Sequence, residues 1–198
     1  MPLLELDHVT KRFGRVVIAE DLSFAVDAGD TVGIVGPNGA GKTSLFGLIS
    51  GDLAPGAGQV SFAGKNVTRL DPAARCRLGL LARKRLEIAR ALATGPQLLL
   101  LDEVAGGLTD PEVTVLVEII RGINAEGVAV IWIEHVVRAL TSLVSRMTCL
   151  YGGEFIGDGT AAEVFANPRV REVYLGSDID SSVVQAGMES GPEQESKS

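Results

Sequence analysis

The chain has 198 residues, of which 46% are hydrophobic and 22% charged, a balance typical of one globular domain with a sizeable core. Its formal net charge of −7 argues against nonspecific binding to nucleic acid or to an anionic membrane surface, since both need clustered Lys and Arg. The acidic Glu5 and Asp7 interrupt any apolar signal-peptide core, and no window reaches the ~20 apolar residues of a membrane span. These features predict a cytoplasmic protein that meets a membrane only through a partner.

The first third of the chain predicts mainly strands. Period-2 alternation predicts short strands at residues 3–9, 15–20, 22–26 and 58–67. In contrast, "GDTVGIVG" (29–36) is a continuous apolar run, as expected for a strand buried on both faces. A glycine-rich loop follows, and then a helix that Gly51 should end.

The remainder of the chain alternates between helices and buried strands. Helices are expected at 82–93, 110–127, 136–145, 160–167 and 168–176, buried strands at 97–103 and 128–135, and a β-hairpin at 146–159. Asp110 is expected to cap the helix that begins there. The pattern predicts an α/β three-layer core with a mainly parallel sheet, accompanied by a small antiparallel β-subdomain. Residues 177–198 carry five acids and one base and are predicted to be a disordered acidic tail.

The segment "GPNGAGKTS", residues 36–44, matches the whole phosphate-loop pattern GxxxxGK[ST], between a buried strand and a helix. Glycines let the backbone fold tightly enough to aim several N–H groups at phosphate oxygens, and the helix N-terminus adds its dipole. The predicted nucleotide contacts are Gly36, Pro37, Asn38, Gly39, Ala40, Gly41, Lys42, Thr43 and Ser44. Of these, Lys42 should reach the β- and γ-phosphates, Thr43 should bind Mg²⁺, and Ser44 should contact the α-phosphate. The expected cofactors are therefore ATP and Mg²⁺.

Acidic residues at the end of the next buried strand supply the other half of a nucleotide site. In "LLLLDE", Asp102 is predicted to order Mg²⁺, usually through water, and Glu103 to polarise the attacking water as catalytic base. His135 ends the strand at 128–135. Because the carboxyl ends of parallel strands converge on a ligand crevice, His135 is a second catalytic candidate, as a γ-phosphate contact. A purely structural histidine remains the alternative.

Together these motifs resemble those of the ATP-binding cassette (ABC) ATPases that power transporters, over about residues 3–176. The resemblance implies one nucleotide-binding domain, 1–176, that couples ATP hydrolysis to transport. It implies that Phe13 stacks on adenine, although a buried core position is an equal alternative. It also implies that "GLTD" (107–110) crosses a dimer interface. The expected partners are membrane permease subunits and a second ABC ATPase subunit, with no nucleic acid. This would place the protein peripherally, at the inner face of the cell membrane.

Within the family, "IEHVVRAL" (134–141) and "AAEVFANPRVREVYLG" (161–176) look most like the ATPases of branched-chain amino-acid importers. The resemblance therefore implies uptake of branched-chain or related amino acids. An alternative is a nucleotide-binding module that does not hydrolyse ATP. A soluble ATPase acting on nucleic acid is disfavoured by the acidic charge.

The interval between the two halves of the site is short. From Lys42 to Asp102 it measures 60 positions, whereas the resemblance implies about twice that length. The family's interval carries a glutamine at the Mg²⁺ shell, a helical subdomain that docks the permease, and the signature LSGGQ. Here no glutamine occurs between Gln59 and Gln97, and "LGLLA" (78–82) stands where the signature is expected. The helical subdomain is thus expected to be absent or truncated near 72–82, either through a real deletion or because a segment is missing from the sequence.

Overall fold

The computed structural model describes residues 1–84, 95–134 and 137–175. Of residues 81–84, 138 and 175 only the backbone is described. The predicted tail, 177–198, and most of the helix expected at 82–93 lie outside the described residues.

The described residues form ten strands and six helices. The strands are β1 (Leu4–Phe13), β2 (Val16–Val26), β3 (Thr31–Val35), β4 (Ala57–Phe62), β5 (Lys65–Asn66), β6 (Leu80–Lys84), β7 (Leu98–Asp102), β8 (Ala129–Ile133), β9 (Arg146–Tyr151) and β10 (Glu154–Gly159). The helices are α1 (Lys42–Ser50), α2 (Pro72–Arg77), α3 (Asp110–Ala125), α4 (Val137–Thr141), α5 (Ala161–Ala166) and α6 (Pro168–Leu175). No helix among these residues is long and apolar enough to cross a membrane.

A four-stranded antiparallel sheet, in the order β2-β1-β4-β5, forms the predicted accessory subdomain. The two strands expected at 15–20 and 22–26 are one strand, β2. Asp21, with φ 53°, lies where the β1–β2 pairing shifts register, so the irregularity bends the strand without ending it.

The central sheet has the strand order β10-β9-β3-β8-β7-β6. All neighbouring pairs are parallel except β9 and β10, which form the expected hairpin. The carboxyl ends of β3, β8 and β7 therefore lie side by side at one edge, with β8 between the other two. This order sets the site, because the glycine loop follows β3 and the acidic pair ends β7.

Two buried clusters cover opposite faces of the central sheet. Alternate residues of β7 contribute to each, with Leu100 on the side of α1 and the antiparallel sheet, and Leu101 on the side of α3 to α6. Trp132 of β8 is fully buried in the second cluster. Covering both faces in this way makes the strands continuous apolar runs, as their sequences predicted. The predicted three-layer α/β fold class is confirmed.

Strand β6 corrects the helix expected at 82–93. Residues 80–84 pair in parallel register with 98–102 and form the edge of the central sheet. The basic residues there suggested an amphipathic helix, but pairing with β7 satisfies the backbone of residues 82–84 instead. The helix prediction is therefore wrong for 82–84, and residues 85–94 lie outside the described part of the chain.

The start of α3 corrects a second detail. Its N-cap is Thr109, one residue before the predicted Asp110. The backbone N–H and the hydroxyl of Thr109 both donate to the Glu112 carboxylate, at 2.7 Å each. These two bonds hold the pKa of Glu112 below its usual range. The reciprocal contact between the cap and the third helical residue fixes the boundary.

A buried arginine holds the far end of α1. Gly51 ends this helix in the left-handed conformation, φ 94°, as predicted. The Arg75 guanidinium, only 1% exposed, donates to the carbonyl oxygens of Leu48 and Ile49 at 2.8 and 2.7 Å. Carbonyls in the last turn of a helix lack intrahelical partners, so Arg75 satisfies them from α2. Burial lowers the pKa of Arg75.

Candidate nucleotide-binding site

The glycine loop between β3 and α1 has the tight geometry that its sequence predicts. A side chain at Gly36 would overlap the Leu150 carbonyl oxygen. At Gly41, where φ is 102°, a Cβ atom would lie 2.9 Å from the Ile18 carbonyl oxygen. Only glycine therefore fits at these two positions. Asn38 and Gly39, at the tip, are exposed, so the loop backbone is open to a ligand.

Lys42 is the first residue of α1 and turns back over the loop. Its side chain is 6% exposed, and Nζ donates to the carbonyl oxygens of Gly36 and Pro37 at 2.6 and 3.0 Å. Burial lowers the pKa of Lys42, while the carboxylates of Glu103 and Asp102 oppose that shift most strongly. The ammonium therefore lies at the loop mouth, within electrostatic reach of the predicted acidic pair.

Two hydroxyl-bearing residues follow Lys42 in the first turn of α1. Thr43 is exposed and Ser44 is half-buried. Both lie at the N-terminus of the helix, where backbone N–H groups and the dipole favour an anion. The structure thus brings Lys42, Thr43 and Ser44 to the same loop mouth.

Asp102 and Glu103 occupy different environments although they are adjacent. Asp102 ends β7 and is 7% exposed, whereas Glu103 is exposed and has φ 50°, in the left-handed region. The Glu103 N–H donates to the Ile133 carbonyl oxygen of β8 at 2.8 Å. A non-glycine residue in this conformation costs about 1–3 kcal/mol and persists only where its surroundings fix it. The turn separates the two carboxylates, leaving Asp102 against the sheet and Glu103 toward solvent.

Phe13 lies at the end of β1 with 54% of its surface exposed. The alternative of a buried core position is therefore wrong for this residue. Lys11 Nζ lies 5.0 Å from the centre of the ring. Phe13 pairs with Val16 on β2, two residues before Ile18, whose carbonyl oxygen faces Gly41. Two strand residues span roughly 7 Å, so Val16, the partner of Phe13, lies about that far along β2 from the residue that meets the glycine loop.

Sequence reasoning missed two buried groups at this site. Glu134 follows β8, is fully buried, and accepts the Ala105 N–H at 2.9 Å through Oε2. Tyr174 of α6 is 4% exposed, and the backbone of Gly36 is its hydrogen-bond partner. Burial raises the pKa of Tyr174. The only signal for Glu134 was an acid after an apolar strand, and Tyr174 gave none beyond its place in an apolar helix face.

His135 lies outside the described residues, so its predicted role rests on the position of its neighbours. The Glu134 N–H donates to the Ile34 carbonyl oxygen of β3 at 3.3 Å. The chain therefore leaves β8 beside the strand that leads into the glycine loop. The central position of β8 supports the prediction that residues after it face the nucleotide crevice.

The donor set at the loop mouth fits Mg²⁺. This ion prefers oxygen ligands, and it is bound in nucleotide sites through one or two carboxylates together with the phosphates. Two oxygen ligands are present at the loop mouth. One is the hydroxyl of the exposed Thr43, and the other is the carboxylate of Asp102, which lies within electrostatic reach of Lys42. Thr43 and Asp102 stay the predicted metal ligands.

A glycine loop between a buried parallel strand and a helix, with acidic residues at the end of a second parallel strand of the same sheet, defines a P-loop nucleoside triphosphatase. A family model described as "ABC transporter" matches residues 19–82. A second, described as "Branched-chain amino acid ATP-binding cassette transporter", matches residues 156–180.

Individual proteins agree with these family models. The lipopolysaccharide export system ATP-binding protein LptB of Acidithiobacillus ferridurans is 29% identical over 88% of this chain and 97% of that protein. The ribose import ATP-binding protein RbsA 2 of Rhizobium etli is 27% identical over 87% of this chain and 46% of that protein. A nucleotide-free ATP-binding cassette from an ABC transporter superposes with a TM-score of 0.85 at 20% identity, covering 89% of this chain and 100% of that one.

The chain is similar to the ATP-binding domains of ABC transporters. The resemblance seen in the sequence is thereby confirmed. Members of this family bind ATP or ADP and are ATPases that couple hydrolysis to transport. They work as dimers together with membrane permease components.

The alignment with LptB also bears on the short interval. It extends over 233 positions, whereas 88% of this chain is about 174 residues, so about 59 positions are occupied by LptB alone. The ABC family model stops at residue 82, two residues before β6 ends. Residues 72–84 form α2 and β6. The gap or deletion expected near 72–82 stays a prediction.

Proposed function

We propose that this chain is the ATP-binding subunit of an ABC importer that takes up branched-chain or related amino acids. One observation carries the nucleotide part of the proposal. Lys42 is held over the glycine loop by two carbonyl oxygens, and the carboxylates of Asp102 and Glu103, at the end of β7 in the same sheet, act on it electrostatically. This is the arrangement that a triphosphate with a bound cation requires.

In the proposed mechanism the loop amides and Lys42 grip the triphosphate, and Ser44 adds a contact to the α-phosphate. Thr43 and Asp102 hold Mg²⁺, which would neutralise charge that develops on the phosphate oxygens. Glu103, exposed beside this site, orients and polarises the water that attacks the γ-phosphate. His135, just after β8, contributes a further γ-phosphate contact.

Phe13 completes the nucleotide contacts by stacking on adenine. Its ring is exposed at the end of β1. Stacking on adenine would remove this apolar surface from water, which is favourable. Lys11 beside it keeps the surface cationic, which suits a polyanionic nucleotide.

The proposed partners are permease subunits and a second ABC ATPase subunit, with residues 107–110 crossing between the two ATPases. Thr109 caps α3 in this stretch, so the loop leaves the sheet in a fixed direction. We also propose residues 1–176 as one nucleotide-binding domain, peripheral at the inner face of the cell membrane.

The direction of transport and the substrate rest on the match of residues 156–180 to the branched-chain amino-acid family model. LptB is named for lipopolysaccharide export and RbsA 2 for ribose import, and the two are similarly identical to this chain. Overall identity therefore does not select a substrate, and the carboxyl-terminal segment provides the specific support.

A second candidate is a nucleotide-binding module that does not hydrolyse ATP. It is favoured by the 60-position interval between Lys42 and Asp102, in which no glutamine occurs between Gln59 and Gln97. Removing one preorganised donor from a transition state commonly costs about 2.7–4 kcal/mol, so losing both the signature and the glutamine would slow hydrolysis severely. The mass of the intact protein bears on this candidate, because 20.7 kDa corresponds to a real internal deletion and a clearly larger mass to a missing segment.

A paired measurement tests the proposal. Titration with Mg-ATP should give a saturable 1:1 complex, and steady-state ATPase activity should rise when the permease is added. Stoichiometric binding without turnover would favour the second candidate. No affinity for Mg-ATP at all would reject both. Retention on a nucleic-acid column at physiological salt would instead support the disfavoured nucleic-acid ATPase.

A further inference from the structure

Glu134 is a buried carboxylate to which the proposed mechanism gives no role. It follows β8 and has none of its surface exposed. Burying a carboxylate is costly unless hydrogen bonds hold it, so a residue of this kind is placed there by specific contacts. One such contact is the Ala105 N–H, which donates to Oε2 at 2.9 Å.

Ala105 belongs to the loop that leaves β7 after the acidic pair. Val104 and Ala105 are buried, with 3% and 2% of their surfaces exposed. The Ala105 N–H therefore has little access to water, and removing its acceptor would leave a buried donor unsatisfied. A charged acceptor also makes the stronger hydrogen bond.

The same loop is attached to β8 at a second point, two residues earlier. The Glu103 N–H donates to the Ile133 carbonyl oxygen at 2.8 Å. Consecutive residues at the end of β8, Ile133 and Glu134, thus hold alternate residues of the loop, Glu103 and Ala105. At the first of these attachments, Glu103 has the left-handed conformation, φ 50°. Such a conformation persists only where its surroundings determine it.

Glu134 is also connected to the phosphate-loop side of the site. Its N–H donates to the Ile34 carbonyl oxygen of β3 at 3.3 Å, one residue before that strand ends. Its carboxylate acts electrostatically on Lys42, though less strongly than Glu103 and Asp102 do. The residue therefore joins the strand that carries the phosphate loop to the loop that carries the acidic pair.

We propose that Glu134 is a positioning residue, which fixes Glu103 at the nucleotide site by anchoring the 103–105 loop through the Ala105 N–H. The inference rests on the proposed role of Glu103 as the base. It adds that this carboxylate is oriented from β8, and that the acceptor oxygen of Glu134 matters more than its charge. Beyond Ala105 the anchor extends to the 107–110 loop, because the Leu108 N–H donates to the Ala105 carbonyl oxygen at 3.1 Å.

The test compares Glu134→Ala with Glu134→Gln in the full chain. Alanine removes the acceptor, whereas glutamine keeps an oxygen that can accept the Ala105 N–H and removes only the charge. Glu118→Ala, at an exposed position on α3, is the matched control. The readouts are the dissociation constant for Mg-ATP, the steady-state turnover, and hydrogen exchange of residues 103–109 against residues 42–50.

With Glu134→Ala we expect Mg-ATP affinity within about threefold of the parent, turnover lower by about 100-fold, and faster exchange confined to residues 103–109. Glu134→Gln should restore turnover and exchange to within about threefold of the parent. A residue that only stabilises the fold would lower affinity and turnover together and would speed exchange in residues 42–50 as well.

Unchanged exchange at 103–109 in Glu134→Ala overturns the inference, as does a Glu134→Gln variant that behaves like Glu134→Ala. Hydrogen exchange is measured on nucleotide-free protein. It therefore tests whether Glu134 anchors the 103–105 loop even if the parent protein does not hydrolyse ATP. Failure of the proposed function has a different signature, namely that the parent itself binds no Mg-ATP.

Discussion

The phosphate loop and the acidic loop face the same crevice but are built in different ways. The phosphate loop is one contiguous segment, 36–44, whose glycines and Lys42 sit within nine residues. The acidic side is assembled from the ends of two strands, with Glu103 held by β8 and Glu134 contributed by it. A contiguous motif carries its own geometry, whereas an assembled one depends on strand order and register. Substitutions on the two sides should therefore affect different steps.

The largest effect is expected at Lys42. Lys42→Ala removes the ammonium that turns back over the loop, and should weaken Mg-ATP binding by at least about 100-fold. Titration calorimetry with Mg-ATP measures this, and Lys65→Ala, at an exposed position on β5, is the control. Retained affinity in Lys42→Ala would contradict the assignment of the nucleotide site.

Glu103→Gln should separate binding from chemistry. The amide has nearly the shape of the carboxylate but cannot act as a base, so turnover should fall by about 10²–10⁴-fold while affinity stays within about threefold. Single-turnover hydrolysis and nucleotide titration on the same preparation measure both quantities. Hydrolysis as fast as in the parent would show that another group activates the water.

Arg75→Met tests whether the far end of α1 matters to the phosphate loop. It leaves buried carbonyls of α1 without their donor, so the free energy of unfolding should fall by about 2–4 kcal/mol. Urea unfolding measures the loss, with the exposed Arg77→Met as control. Affinity for Mg-ATP should change much less, since Arg75 contacts the opposite end of the helix.

The smallest effect is expected from Phe13→Ala. Loss of stacking should weaken ATP binding about 3- to 10-fold and leave inorganic triphosphate binding unchanged. Competition titrations with the two ligands separate these outcomes, and Val16→Ala on the paired strand is the control. Equal weakening for both ligands would place the effect on the hairpin fold and not on adenine.

Local patterns predicted the contiguous elements well. The glycine loop, the helix α1 with its end at Gly51, and the buried strands β7 and β8 follow from motif, capping and apolar runs. The N-cap of α3 is Thr109, one residue before the predicted Asp110, because Thr109 and Glu112 form the cap together. The segment at 82–84 was assigned to a helix, because a charged edge strand shows neither clean alternation nor a buried run.

The sequence by itself determined the class of this protein, because the residues that bind phosphate are adjacent in the chain and their chemistry is readable in order. Only the tertiary structure decided that β8 separates β3 from β7, that Phe13 is exposed, and that Glu134 and Tyr174 reach the site. These facts depend on which strands are neighbours and on which buried groups find partners. Such contacts join residues far apart in the chain, and no local pattern records them.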